Sequence, residues 1–221
     1  MRSLAVLTLA LFAALGSAQI TKSGSAYLLR MKHTPGATYR YGVASTIGGA
    51  SANGQAMKFS LPMVWKVVGV KNNIATIDTT VGPIKMGKDV VGQATKNRIQ
   101  LNSRGQLVGK AGSGQQVTPS LPDKPIKIGQ SWSASAPIDL PGQGAKKISA
   151  QYTLKGFKTV SGKQVAELAI KTTGQAAGTG SMLLLMSDGS LFRSNMNLNL
   201  SVTGPNGAAM TYKVTANISR Q

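Results

Sequence analysis

The chain has 221 residues, 25 Lys and Arg against 6 Asp and Glu, a formal net charge of +19, one histidine and no cysteine. The missing cysteine excludes disulfides, thiolate metal ligands and the cysteine-linked anchor of bacterial lipoproteins. So large a basic excess draws polyanions over long range, although scattered lysines also keep a Gly-rich β-protein soluble and blunt its strand edges.

The first eighteen residues have the parts of a cleavable signal peptide: Arg2, an apolar run from Leu4 to Leu15, and the small residues Gly16-Ser17-Ala18. A run of about twelve residues is short of the roughly 20 a spanning helix needs. Cleavage leaves Gln19 first, 203 residues in all and a charge one lower, +18. That length suits a single all-β domain, 19–221, with a substantial core and no covalent staples.

Along the remaining chain, Gly36-Ala37-Thr38-Tyr39 leads into a strand. Trp65–Val70 and Ile74–Val81 then flank Asn72-Asn73 as a long hairpin, and a short hairpin turns at Ser103-Arg104-Gly105. Residues 84–97 and 108–119 show no clear period, and the Gly-Ser-Gly-Gln-Gln run at 112–116 reads as a loop. Pro119-Ser120-Leu121-Pro122-Asp123-Lys124-Pro125 is a stiff connector. Beyond it Gly129-Gln130-Ser131-Trp132 leads into another strand, Tyr152–Val160 and Gln164–Thr172 flank Ser161-Gly162, and a short hairpin turns at Ser187-Asp188-Gly189. Met196, Leu198, Leu200 and Val202 alternate with asparagines and hydroxyl residues, and after Pro205-Asn206-Gly207 the same period of two returns through Met210, Tyr212, Val214, Ala216 and Ile218.

No segment carries a sustained helical period, and the many glycines and β-branched residues oppose helices. The expected architecture is all-β: a curved antiparallel sheet, half-barrel or barrel of about ten to twelve strands. The order lead-in, long hairpin, short hairpin occurs twice, which suggests two related halves, 27–118 and 126–221.

Leu29-Arg30-Met31-Lys32 with Pro35 to Tyr41, Leu121 to Trp132, and Gly180 to Leu200 with its Asp188-Gly189 turn resemble the DUF6263-like family of bacterial secreted proteins of uncharacterised function. The resemblance implies an exported β-rich protein and transfers no catalytic residue.

Chemistry is sparse. His33 stands between Lys32 and Thr34 without a neighbouring carboxylate, so a Ser-His-Asp triad is not indicated. No Ser-x-x-Lys occurs, and no His and carboxylate cluster suits a metal. The acids are Asp78, Asp89, Asp123, Asp139, Glu167 and Asp188; Asp78 and Glu167, on matching strands of the two long hairpins, form the best pair for a hydrolase. Gly82 to Lys88 has phosphate-loop spacing, but Asp89 replaces the Ser or Thr, Pro83 removes an N–H and no helix follows. Asn199-Leu200-Ser201 and Asn217-Ile218-Ser219 match a glycosylation acceptor within strands.

Trp65, Trp132, Tyr39 and Tyr152 recur at matching places and suit core packing. Met57, Met63, Met86, Met182, Met186, Met196 and Met210 suit gap-filling or the lining of an adaptable cavity. The basic residues are scattered, with Lys146-Lys147 adjacent, which argues against a nucleic-acid surface. The sequence therefore points to an exported, periplasmic or secreted, non-catalytic binding protein of the cell envelope. It needs no cofactor, metal or catalytic residue, and it takes an apolar, lipid-like ligand in a cavity whose lining residues stay unassigned. The alternatives are a basic structural or adhesive protein on anionic envelope polymers and, weakest, a hydrolase using Asp78 and Glu167.

Overall fold

A computed structural model describes residues 20–48, 54–109, 119–140, 144–203 and 209–221. Residues 1–18, read as a signal peptide, with Gln19, the 112–116 run and the expected turn at Asn206-Gly207 lie outside the described residues, as do the side chains of Lys146 and Lys147. Among the described residues there are fourteen strands, and every pairing is antiparallel. Twelve share one sheet, at the top of the expected number, and β1 (Ile20–Ser23) pairs β2 (Ala26–Leu29) as a separate hairpin.

The first half supplies β3 (Thr38–Gly48), β4 (Met57–Lys71), β5 (Ile74–Val81), β6 (Ile84–Met86), β7 (Asp89–Val91) and β8 (Thr95–Asn102). The second supplies β9 (Ser131–Leu140), β10 (Gly144–Val160), β11 (Lys163–Thr173), β12 (Ala176–Leu185), β13 (Leu191–Thr203) and β14 (Ala209–Arg220). Ten of them run β8-β5-β4-β3-β14-β13-β12-β11-β10-β9 across the sheet. β6 continues β5 along β4, and β7 pairs β6, so the two form the kinked tip of the β5–β8 hairpin. Pro83, which cannot donate to a ladder, stands at that kink.

The sheet is not closed by strand pairing, since β8 and β9 are edges, yet it curls strongly. The Met31 N–H bonds the Ser103 carbonyl, just after β8, and the Lys32 N–H bonds the Asp188 carbonyl, just after β12. Those strands are six spacings apart, about 29 Å on a flat sheet; adjacent residues can bridge them only if the sheet folds around. The proline-rich connector crosses the remaining gap: Leu121 N–H bonds Arg104 O beside β8, and Ser120 O accepts from the Trp132 indole on β9 at 2.8 Å. The stiff connector between the two halves thus joins the two sheet edges.

Bulges at Val67/Gly69, Leu154/Gly156 and Leu183/Leu184 add twist. At Gly178 and Gly180 any Cβ would overlap the Asn197 and Asn195 carbonyls, so β12 and β13 approach more closely than side chains permit.

At one end the trough is full. Leu29 and Met31 from the N-terminal segment and Leu121 and Ile126 from the connector pack on Tyr41, Trp65, Val67, Leu154, Leu168 and Leu184. Tyr41 meets Trp65 edge-on at 5.9 Å, and Trp132 stacks on Tyr152 at 5.3 Å. The two halves share a local geometry: Val67 exchanges main-chain bonds with Gly36 and Ala37, as Leu154 does with Gly129 and Gln130. Both places also carry a bulge, and both long hairpins turn on left-handed pairs, Asn72-Asn73 and Ser161-Gly162.

Candidate functional site

Register places the inward side chains in rows that cross the sheet. The row Leu61, Val43, Ile218, Ser194, Met182, Leu168, Leu154 lies in or against the sealed core. Four residues further from the filled end runs Met57, Ile47, Val214, Leu198, Gly178, Thr172, Ala150, Ala134. In this second row Met57, Ile47, Val214 and Leu198 are half-buried, as are the neighbouring Leu200 and Tyr212. Apart from Ala150, none of the row packs against a buried apolar cluster. The row therefore passes from bulky side chains on β4, β3, β14 and β13 to small ones on β12, β11, β10 and β9, and the described residues leave this apolar inner surface, the groove, half-covered at the open end. Thr172 does not make it polar, because its hydroxyl donates to Ala176 O at 2.5 Å.

A second concavity, about 250 Å³, lies on the outer side of the same end. Its lining includes Lys58 and Ser60 on β4, Thr46 on β3, Asn217 on β14 and Lys85 on β6. The ribbon β6–β7 beside it exposes Ile84, Val90 and Val91 at 38%, 61% and 47%.

At the filled end a polar cluster locks the closure. Asp188 accepts from Ser190 N–H at 2.9 Å and from the Ser190 hydroxyl at 2.6 Å, and its other oxygen pairs with Arg220 at 3.2 Å. Arg220 also bonds Ser190 Oγ at 2.7 Å and lies 4.8 Å from the Tyr39 ring centroid. Burial pushes the Tyr39 and Tyr41 hydroxyls above their ordinary range. A cleft of about 380 Å³ lined by Lys163, Gln164, Leu185, Ser187, Asp188 and Arg220 opens here, but its one carboxylate is committed to Arg220 and Ser190.

His33 sits beside this cluster with its Nε2 buried and unpartnered, and burial lowers its pKa against opposing pulls from a hydrogen bond to the Asn102 main chain and from Asp188. It has no serine and carboxylate arranged about it as a triad. Asp78 and Glu167 are not brought together: both face outward, six strand spacings apart, about 29 Å along the sheet. Each is paired, Asp78 with Arg98 at 2.6 Å and Glu167 with Lys158 at 2.7 Å. The hydrogen bonds from Arg98 hold the Asp78 carboxyl below its usual range, the reverse of what a general acid needs.

The methionines do not line one cavity. Met63 and Met182 are core, Met186 and Met196 pack against it, Met57 and Met86 lie at the open end, and Met210 is exposed. Trp65, Tyr39, Trp132 and Tyr152 pack in or against the core as the pattern suggested. Gly82 to Lys88 forms the bend and ribbon rather than a loop before a helix. Asn199 and Asn217 lie in β13 and β14. No group of three or more metal-ligating side chains occurs among the described residues, and no helix among them is long and apolar enough to cross a membrane.

No family model matches the chain, and no curated protein matches it. Among solved structures it is similar to a DUF1329 family protein from Desulfovibrio piger ATCC 29098, at 11% identity over 83% of each chain and a TM-score of 0.28.

Proposed function

We propose that this is an exported, non-catalytic binding protein of the cell envelope that holds an elongated apolar, lipid-like molecule at the open end of its half-barrel. One observation carries the reading. The inward alternation of β3, β13 and β14 continues past the sealed core into Ile47, Leu198, Leu200, Tyr212 and Val214, which the described chain leaves half-covered. Apolar area costs about 25 cal/mol for each Å² left in water, so such a face favours an apolar guest. Further along the same row Gly178, Ala150 and Ala134 carry little or no side chain, which suits a chain-like molecule.

The test is organic extraction of the purified protein followed by mass spectrometry, with displacement of a fluorescent fatty acid as the affinity measure. Leu198→Gln is expected to weaken binding about tenfold, from the loss of one side chain's transfer energy, with little change in unfolding. Protein that yields no lipid and does not bind the probe overturns the reading.

One observation favours adhesion to anionic envelope polymers as a second reading. The outward row Lys58, Thr46, Thr215, Asn197, Thr179, Lys171 crosses six strands with a lysine at each end. Adhesion through it predicts retention on an acidic polysaccharide column that falls steeply with salt, and retention unchanged by salt counts against it.

A further inference from the structure

We infer that the ribbon β6–β7 and the concavity beneath it dock the protein on an anionic lipid bilayer. The inference goes beyond the groove reading and does not depend on it, because a surface site works whether or not the groove is occupied.

Of the seven large apolar side chains that stand exposed among the described residues, three, Ile84, Val90 and Val91, lie on this one ribbon. Ile84 and Val91 are register partners and share one face, and Val90 sits opposite Lys85 on the other. A narrow two-stranded edge with apolar side chains on both faces is a liability in water and suits insertion between lipid headgroups. Pro83 and the kink separate the ribbon from β5, while β6 stays bonded to β4 at Phe59 and Ser60, at the end where the groove opens.

The charges around it fit the same partner. Lys85 projects with Lys58 into the 250 Å³ concavity, where Ser60, Thr46 and Asn217 add hydroxyl and amide groups and no carboxylate enters the lining. Among the described residues no hydrogen bond or ion pair engages the Lys58, Lys85, Ser60, Thr46 or Asn217 side chains. The other basic residue at the tip is Lys88, beside the ribbon's own acid, Asp89. Two unpaired ammonium groups next to apolar side chains that enter the membrane match a phosphodiester headgroup: the phosphate seats in the concavity and the ribbon lies among the upper acyl carbons.

Flotation of the mature protein with vesicles of phosphatidylcholine alone, or with about one third phosphatidylglycerol, tests this. Binding is expected to the anionic vesicles only. Lys58→Gln with Lys85→Gln should lower it about thirtyfold, at about fivefold per lysine. Val90→Ser with Val91→Ser should abolish the part that survives high salt. The pair Lys127→Gln with Lys155→Gln, which removes the same charge elsewhere, should cost clearly less.

Equal loss from both lysine pairs would mean diffuse charge attraction and overturn the site. Unchanged binding in the ribbon variant would overturn insertion. Inorganic phosphate at millimolar concentration that fully releases the protein would show that the concavity takes free phosphate rather than a bilayer. A ribbon variant that leaves the vesicles yet still carries extractable lipid separates failure of docking from failure of the groove.

Discussion

Gly189 has φ +67, a left-handed conformation, and any Cβ there would overlap the Arg30 carbonyl. The Asp188-Gly189 turn therefore accepts the N-terminal segment only as glycine. Gly189→Ala should cost about 2 kcal/mol or more in urea unfolding, against about 1 kcal/mol for Gly174→Ala, where φ is +85 and nothing lies within 4 Å. His33 supplies a pH dependence of definite sign. Burial lowers its folded pKa below the ordinary value of about 6.5, so in the window between those two values the unfolded chain holds more protons. Stability should fall as pH drops through that window and level off below it. Urea midpoints at pH 7.5 and 5.5 check this, and His33→Gln should remove the difference. The glycine's turn was legible, since Ser-Asp-Gly between apolar runs names it; its collision with Arg30 was not, because the partner lies more than 150 residues away in sequence.

The elements divide in the same way. Asn72-Asn73 and Ser161-Gly162 announced their hairpins because local chemistry decides a two-residue turn, and the alternation in β13 and β14 was plain. The hairpin β1–β2 went unread, since residues 20–29 show little alternation and their pairing is completed by distant partners, Met186 O and the Tyr27–Ile126 bridge. Ile84, Val90 and Val91 look like core residues in the sequence; only tertiary structure leaves them exposed. The connector's role as a staple was equally hidden, because its main-chain bonds leave no side-chain signature. Arg30 shows the staple's weight: its guanidinium donates to Leu29 O, Pro122 O and Asp123 O, each at 2.7 Å, while Arg104 pairs with Asp123. Arg30→Ala should lower stability by about 1–3 kcal/mol by leaving carbonyls unpaired. It should also red-shift tryptophan emission as Trp132 loses its hold on Ser120.

For the whole molecule, the sequence indicated an all-β curved sheet, and the fold is a sheet curled into a half-barrel with open edges. Whether the trough was full was not legible, because Leu168 and Leu198 look alike in an alternating strand and differ only in what covers them: the connector and N-terminal segment reach one and stop short of the other. The two ends consequently differ in kind, one sealed by packing and the Asp188–Arg220 cluster, the other apolar and half-covered by the described residues. Ile20 is 2% exposed, and its N–H bonds the Met186 carbonyl. Ile20, near the start of the described chain, thus belongs to a core that cannot assemble until the β12–β13 turn has been made, and contacts so distant in sequence form slowly. A chain so wired leaves its first strands without their partners until most of it has been synthesised.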